Sequence, residues 1–456
     1  MAAPTRLSGF PEWLPSGRII EQTILDTARR TFELHGFASL ETRAVEPLDA
    51  LLRKGEIDKE VYAVRRLHAA EDERDLLALH FDLTVPFARY VVENAGRLEF
   101  PFRRYQIQKA WRGERPQEGR FREFTQADID IVDRDRLAFH HEIEMAVVMA
   151  ELLAQLPIPR AVIQVNNRKL AEGFYRGVGA PDPAAVLRVV DKLDKIGDEK
   201  VVGLLMSDAG LDEASARLCL QLAAIRTADT SFVDRVRGLG VRHDLLDEGL
   251  DELAAVVSGA AAQCPGGIVA DLRIARGLDY YTGTIYETQL LGHESVGSIC
   301  SGGRYDALAT DGATAYPGVG ISLGVTRLVS VLLGRDLVRA SRSVPSAVLV
   351  AVGDEQTRER STAVAGRLRE RGIPCEVAPR ADRFGKQIRY ADRRGIPFVW
   401  FPGEPGETDT VKDIRSGDQV EADAAHWSPP AHDLWPQVAA YDPAAAAAIN
   451  EKERSS

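Results

Sequence analysis

Seven basic residues, Arg103, Arg104, Lys109, Arg112, Arg115, Arg120 and Arg122, stand against three acids, Glu114, Glu118 and Glu123, within residues 101–125. The whole chain carries a formal net charge of −11, so this segment reverses the prevailing sign. Arginine suits polyphosphate because its planar fork of donors never deprotonates and grips two oxygens at once. Arg112 and Glu114 share a parity, so an extended chain turns both to one face, and Arg120 lies across an intervening loop from them. A solvated hairpin is the structural alternative for such a charge run. Phosphate-binding loops of other kinds are missing. Gly385-Lys386 is followed by Gln387 rather than Ser or Thr, and no strand leads into a G-x-G-x-x-G turn. If a nucleotide binds, arginines must hold it.

Three further clusters follow. Residues 273–283 read Arg-Ile-Ala-Arg-Gly-Leu-Asp-Tyr-Tyr-Thr-Gly; alone, the paired tyrosines suit a strand with one ring inside and one outside. Residues 300–306 read Cys-Ser-Gly-Gly-Arg-Tyr-Asp, where paired glycines allow a turn or a close backbone approach. Residues 318–327 alternate glycine with apolar residues before Arg327, leaving one strand face bare enough for a flat ligand such as a purine. A metal centre has no support. His140-His141-Glu142 lacks the second histidine of H-E-x-x-H, because Met145 stands there, and Cys219, Cys264, Cys300 and Cys375 form no C-x-x-C pair.

The elements that must position these clusters are legible in the texture of the chain. Its 456 residues predict about three domains, and 45% apolar with 27% charged residues suits globular folding. Ile20, Ile24, Ala28 and Phe32 mark a helix over residues 18–36, and residues 38–45 alternate as a strand closed by Pro47. Strand-like runs are expected over residues 77–90 and 102–130, the latter broken by a charged loop at 115–119. Residues 140–156 read as a helix, 161–165 as a strand and 187–253 as helices; strand texture returns at 267–287 and 297–324, before a helix at 325–333. Residues 336–346 are polar and suit a linker. Beyond them, short strands at 348–352, 376–378 and 398–401 alternate with helices at 356–371 and 383–394, an α/β module, and the alanine run 444–448 reads as a frayed helix. Four scattered cysteines, no signal-peptide core and no run of about 18 apolar residues suit a cytoplasmic protein without a membrane span.

Together the clusters resemble the class II aminoacyl-tRNA synthetases, and within them the histidyl-tRNA synthetase family, over nearly the whole chain. Gly36-Phe37 through Pro47 resembles motif 1, which builds the homodimer interface of the class. Arg112-Gly113-Glu114, the loop 115–119 and Arg120-Phe121-Arg122-Glu123-Phe124 resemble motif 2, and residues 318–327 motif 3. R-G-L-D-Y-Y-T-G at 276–283 and S-G-G-R-Y-D at 301–306 are similar to the two histidine signatures of the family.

The resemblance implies an α+β core over residues 1–335, built on the antiparallel sheet of class II synthetases and interrupted by a helical insertion at about 170–260. It also implies a 336–346 linker and an α/β anticodon-binding domain with its tail over 347–456. It implies ligation of L-histidine to tRNA(His) with ATP, through histidyl-adenylate. Asp82, Thr84 and Gln126, with Leu83 between, would hold the α-amino group; Asp130 and Tyr281, with Tyr280 and Tyr305 nearby, would shape the imidazole pocket, since an acid and a phenol satisfy both ring nitrogens. Arg112 and Arg276 would bind histidine and meet the charge on the α-phosphate. Arg120 and Arg327 would take the outer phosphates, Phe124 would stack on adenine, and Glu114 would help to hold ATP-bound Mg2+. Arg115 and Gln117 would touch the acceptor stem of the tRNA.

Three departures from the family pattern stand out. Thr326 precedes Arg327 where motif 3 usually carries glutamate, which alters one polar contact near the nucleotide. Asp82 and Asp130 stand where many bacterial members carry glutamate, and Leu83 where they carry glycine, a pattern closer to the eukaryote-like branch. Residues 9–12 match the family's opening motif only loosely. Residues 358–394 hold eleven basic residues against five acids, which suits an RNA-facing surface. Two rivals remain: a histidine-sensing regulatory subunit of ATP phosphoribosyltransferase, and a tRNA-binding paralogue that has lost catalysis.

Overall fold

The apolar spacing from Ile20 to Phe32 builds a helix whose four apolar positions are buried. In the computed structural model, which describes residues 7–52, 60–68, 76–274 and 281–441, this helix is α1 (Pro15–Leu34), and Gly36 at φ 75° turns the chain out of it. There follow β1 (Ala38–Ser39), β2 (Val45–Pro47), α2 (Leu48–Leu52), β3 (Ala63–Val64), β4 (Leu77–Leu79), α3 (Thr84–Asn94), β5 (Phe102–Trp111) and β6 (Glu123–Val132). The chain divides into two compact units, one of Met1–Pro11 with Ile24–Val331, the other of Glu12–Thr23 with Leu332–Ser456.

Two sequence expectations change here. The strand expected over residues 38–45 is two: β1 lies parallel to β5, whereas β2 pairs with β4 in a small separate sheet. Between them, Gln108 Nε2 donates to the carbonyl of Thr42 and Gln106 Nε2 to its hydroxyl, so side chains take up groups that a continuous ladder would have used. The strand-like run 77–90 stops at Leu79 and becomes α3, because Asp82 Oδ1 accepts the N–H of Val85 at 3.1 Å and Pro86 sits in the first turn, where no N–H is needed. Val85, Phe87, Ala88 and Val91 then face the core.

The chain continues through α4 (His140–Gln155), β7 (Ala161–Asn167), α5 (Arg168–Gly177), α6 (Pro183–Val190), α7 (Leu193–Ile196), α8 (Asp198–Ser207), α9 (Glu213–Ala223), β8 (Arg226–Thr227), α10 (Phe232–Gly238) and α11 (Asp244–Gln263). It then forms β9 (Ile268–Asp271), β10 (Thr284–Leu290), β11 (Cys300–Tyr305), β12 (Gly318–Gly324) and α12 (Val325–Gly334). Helices α5 and α11 meet at backbone contact: a Cβ on Gly173 would fall 2.2 Å from the nitrogen of Leu246, and one on Gly249 2.1 Å from that of Leu170. The helical insertion is thereby clamped beside β7.

Nine described strands of the first unit form one large sheet in the order β1-β5-β6-β12-β11-β10-β7-β9-β8, antiparallel except where β1 meets β5 and β7 meets β9. Its longest pairing is the β5–β6 hairpin, continuous from Phe102↔Val132 to Trp111↔Glu123. One face is apolar: Ile129, Ile131, Val319, Ile321 and Leu323 are buried, with Met145, Val148, Met149 and Leu152 of α4 packed over that side. Arg103, which also turns to this side, donates to the carbonyl of His35 and pairs with Glu144 of α4. Because facing residues of antiparallel strands project to the same side, the opposite face follows from the register, and it is polar.

In the second unit, β13 (Val338–Ala340) is followed by β14 (Val348–Val350), α13 (Arg358–Glu370), β15 (Cys375–Val377), α14 (Phe384–Arg394), β16 (Phe398–Phe401), β17 (Thr410–Asp413), β18 (Gln419–Glu421), α15 (Ala431–Leu434) and β19 (Val438–Ala440). Strands β15, β14 and β16 are parallel and β17 and β18 extend the sheet antiparallel, an α/β module around Trp400, whose ring meets Trp427 edge-on at 5.5 Å. Residues 336–346 hold strand β13, paired with β19, and the buried Arg342, whose guanidinium donates to the carbonyls of Val344, Pro345, Asp433 and Leu434. The alanine run 444–448 lies outside the described residues.

Candidate active site

The polar face of the large sheet is organised in rows across the strands. One row runs Arg104, Asp130, Gly320, Gly303 and Ile285; the next runs Gln106, Asp128, Ser322, Ser301 and Glu287; a third joins Gln108, Gln126 and Gly324. Two adjoining hollows open on these rows. The smaller, about 90 Å³, is lined by Asp82, Thr84, Asp128, Asp130, Tyr281 and Tyr305, among others. The larger, about 370 Å³, is lined by Glu114, Arg120, Phe121, Phe124, Glu287 and Arg327. Arg112, Gln126, Ser301 and Ser322 belong to both.

The smaller pocket is a carboxylate site with rigid walls. Tyr305 donates to Asp130 Oδ1 at 2.7 Å, and Arg104 Nη2 stands 2.7 Å from Asp130 Oδ2. Arg104 is fully buried, with its guanidinium 4.3 Å from the centre of the Phe87 ring. Asp82 and Thr84 come from the start of α3, and Leu83 is wholly buried at its N-cap. Gln126 donates to the Ser322 hydroxyl at 2.6 Å. Burial pushes the carboxyl of Asp128 up to about 7; Arg104 opposes the shift, Asp130 adds to it, a hydrogen bond from Ser322 opposes it and Asp82 adds again.

The larger cleft is framed by the end of the hairpin. β5 stops at Trp111, but Arg112 and Glu114 still converge, with Arg112 Nη1 3.8 Å and Arg120 Nη1 3.3 Å from the Glu114 carboxylate. Arg112 also donates from Nε to the carbonyl of Phe81 at 3.1 Å and lies 5.1 Å from the centre of the Phe124 ring. The turn closes through reciprocal backbone bonds between Gln117 and Arg120, with Gly119 at φ 70°. Arg327 Nε donates to the carbonyl of Gly119 at 2.8 Å and Nη1 to that of Ser298, so the motif 3 arginine holds the motif 2 turn. Arg115 and Gln117 are exposed at the loop tip.

Several sequence readings are redirected. The bare glycine face of β12 does not lie open to a purine along its length: a Cβ on Gly318 would meet the Tyr305 ring at 2.6 Å, and one on Gly320 would meet Asp130 Oδ1 at 2.1 Å. These glycines make room for the pocket's own side chains, and Gly324 is the one beside the larger cleft. Likewise Tyr281 packs its ring where a Gly303 side chain would be. Gly320→Ala should therefore displace Asp130 and cost about 1–3 kcal/mol of stability by overpacking, read as a lower urea midpoint; an unshifted midpoint would mean that the carboxylate moves aside freely.

Thr326 does not line the larger cleft. It is buried, and its hydroxyl accepts the N–H of Thr125 at 2.8 Å, tying α12 to β6. Arg304 of the S-G-G-R-Y-D run turns away from the pocket to the buried Glu142 of α4 at 2.8 Å, which also accepts from the backbone and hydroxyl of Thr284. Arg276 and Tyr280 lie outside the described residues. Sequence reading missed Arg104, Asp128, Ser301 and Ser322. Asp128 had a signal, since it shares its parity with Gln126 and Asp130, whereas Arg104 depends on the hairpin register. Among the described residues no group of three His, Cys, Asp or Glu side chains is arranged to hold a metal ion, and no helix is long and apolar enough to cross a membrane.

The basic run of the second unit is also sorted by the fold. Arg358, Arg360, Arg369 and Arg371 donate to backbone carbonyls of the module, and Arg394 pairs with Glu376. Arg380, Lys386, Arg389 and Arg393 instead line a cleft of about 310 Å³ along α14.

An antiparallel sheet whose polar face joins an arginine-lined cleft to a carboxylate-lined pocket, with a separate α/β module, defines the class II aminoacyl-tRNA synthetase type. A model of the histidyl-tRNA synthetase family matches residues 9–328, and one of the anticodon binding domain matches residues 346–426. The chain is 61% identical to a histidine-tRNA ligase of Cutibacterium acnes over 96% of its own length and 99% of the relative's, and 62% identical to one of Micrococcus luteus over the same shares. The crystal structure of histidyl-tRNA synthetase from Nostoc sp. PCC 7120 matches with a TM-score of 0.84 at 34% identity, covering 93% of this chain and 98% of that one. The chain belongs to the histidyl-tRNA synthetase family.

Proposed function

We propose that this chain joins L-histidine to tRNA(His) in two steps at the paired hollows. A carboxylate oxygen of histidine attacks the α-phosphorus of ATP, the bond to the β-phosphate oxygen breaks, and pyrophosphate leaves histidyl-adenylate. A ribose hydroxyl of the tRNA 3′ end then attacks the carbonyl carbon and AMP leaves. The observation that carries this reading is that Arg112, Gln126, Ser301 and Ser322 border both hollows, so an amino-acid carboxylate and an α-phosphate would meet at Arg112.

In this scheme Asp82, Thr84 and Gln126 receive the α-amino group, with Leu83 fixing the turn between the first two, and Asp130 with Tyr281 and Tyr305 receives the imidazole; Tyr280 joins them by family pattern. Arg112, with Arg276 by family pattern, meets the charge that grows on the α-phosphoryl oxygens, acting by preorganised electrostatics rather than as a base. Phe124 stacks on adenine, and Arg120 and Arg327 take the outer phosphates. Glu114 and Glu287, the described carboxylates of the larger cleft, would hold Mg2+ arriving with ATP, which would neutralise phosphate charge. Arg115 and Gln117 reach the acceptor stem, and the α14 cleft receives anticodon bases. We further infer a cytoplasmic homodimer joined through the motif 1 region, with residues 336–346 connecting a core at 1–335 to an anticodon module at 347–456.

Histidine-dependent exchange of labelled pyrophosphate into ATP tests the reading. Exchange with histidine and with no other amino acid is expected; none with histidine, or equal exchange with another amino acid, would overturn it. Two features bear on the regulatory-subunit and inactive-paralogue readings. Arg112, Arg120 and Arg327 line the larger cleft, which disfavours both, and an anticodon binding domain matches residues 346–426, which disfavours the regulatory subunit.

A further inference from the structure

The smaller pocket holds three carboxyl groups, of which Asp82 and Asp130 have roles above and Asp128 has none. Asp128 lies on β6 between Gln126 and Asp130 and turns to the same face. It is 2% exposed, it lines the pocket, and its Oδ1 has no hydrogen-bond partner. Buried carboxylate oxygens are ordinarily satisfied, so an unsatisfied one on a side chain that lines a binding pocket points to a ligand donor. Asp130 is engaged by Arg104 and the Tyr305 hydroxyl, and Gln126 Nε2 by Ser322, whereas the Oε1 atoms of Gln126 and of Gln106, opposite Asp128 on β5, are acceptors without a partner and offer Asp128 no donor.

We propose that Asp128 is a binding and specificity-determining residue, whose Oδ1 accepts the α-ammonium group of the bound amino acid together with Asp82. The inference rests on the histidine-activating function proposed above. Same-face neighbours on a strand stand about 7 Å apart, so an amino acid whose ring reaches Asp130 sets its ammonium group near Asp128. The ammonium adds a second counter-charge to that of Arg104.

A proton linkage follows. The described charged, titratable and hydrogen-bonding groups facing Asp128 are Arg104 and Gln106 from β5, Gln126 and Asp130 on β6, Ser322 from β12, Ser301 and Tyr305 from β11, Asp82 and Thr84 at the start of α3, Arg112 beyond β5 and Tyr281 before β10. With its carboxyl pushed up to about 7, Asp128 pairs with the ammonium as an ion only after it loses its proton. Histidine affinity is then full above that pH and falls by up to about tenfold per pH unit below it, beyond what histidine's own ring contributes.

Asp128→Asn keeps the shape and removes the charge. In pyrophosphate exchange at pH 8 it should raise the KM for histidine about tenfold or more while leaving the KM for ATP within about twofold. The loss of affinity between pH 7 and pH 6 should be shallower than in the unaltered protein, and Asp128→Glu should recover part of the binding. An unchanged KM for histidine with an unchanged pH profile would overturn the proposal. Should the variant fold poorly, infrared difference spectra of the unaltered protein at pH 6.5 serve instead. Adding histidine should remove a protonated-carboxyl band, and no loss of that band would equally overturn the proposal. Absence of histidine-dependent exchange in the unaltered protein sinks the proposed function itself, whereas normal exchange with a KM indifferent to Asp128 sinks this inference alone.

Discussion

Arg112→Ala should lower histidine-dependent pyrophosphate exchange by about 10²–10³-fold, the usual loss when a preorganised donor to a developing oxyanion is removed. Arg112 is a side chain that borders both hollows, and it is held in place from three directions. Its Nε donates to the carbonyl of Phe81, its guanidinium faces the Phe124 ring, and Glu114 lies 3.8 Å away. The loss should fall on kcat more than on either KM, because the charge it meets is greatest in the transition state. Arg112→Lys should recover little, since a point charge cannot replace a planar fork. The side chain is 35% exposed, so thermal stability should barely move. Exchange at the unaltered rate would remove Arg112 from the reaction.

Arg104→Leu should have the largest effect on stability, a loss of about 3–5 kcal/mol by urea unfolding, because it leaves buried carboxylates without their cation. Arg104 and Asp130 are both nearly inaccessible to water, 2.7 Å apart, and Asp128 also feels the Arg104 charge. Asp128 is already raised above the ordinary carboxylate range in the folded protein, so its charged form is destabilising there and protonation relieves it. The deficit of the variant should therefore be largest at pH 8 and shrink as the pH falls through about 7. Asp130→Asn in the same chain should restore part of the loss. An equal deficit at pH 8 and pH 5.5 would assign the effect to packing instead of charge.

The reach of sequence reading is clearest around β6. Helix α4 and the β5–β6 hairpin were visible because their patterns repeat within a few residues, and the alternation that turns Gln126 and Asp130 inward also turns Asp128 inward. What that face meets was invisible. Gly318 and Gly320 read as open space for a purine until the register set Tyr305 and Asp130 against them. The run 77–90 read as a strand because its apolar residues suit either element, and the Val85 N–H donated to Asp82, with Pro86 in the first turn, favoured the helix. The basic run of residues 358–394 read as one RNA-facing surface, but about half of its arginines are taken up by carbonyls and carboxylates of their own module.

From the sequence alone came the class of fold, the family, the arginines of the cleft and Asp82, Asp130, Tyr281 and Tyr305 of the pocket, because local periodicity and short motifs are properties of neighbouring residues. The tertiary structure alone decided that Arg112 borders two hollows and that Arg327 holds the motif 2 turn. It also decided that Thr326 ties a helix to a strand, and that Arg104 is the buried cation behind the pocket. These are contacts across strands, some joining positions about two hundred residues apart. Which side chains meet there depends on registers settled by burial of the opposite, apolar face, and no spacing along the chain records them.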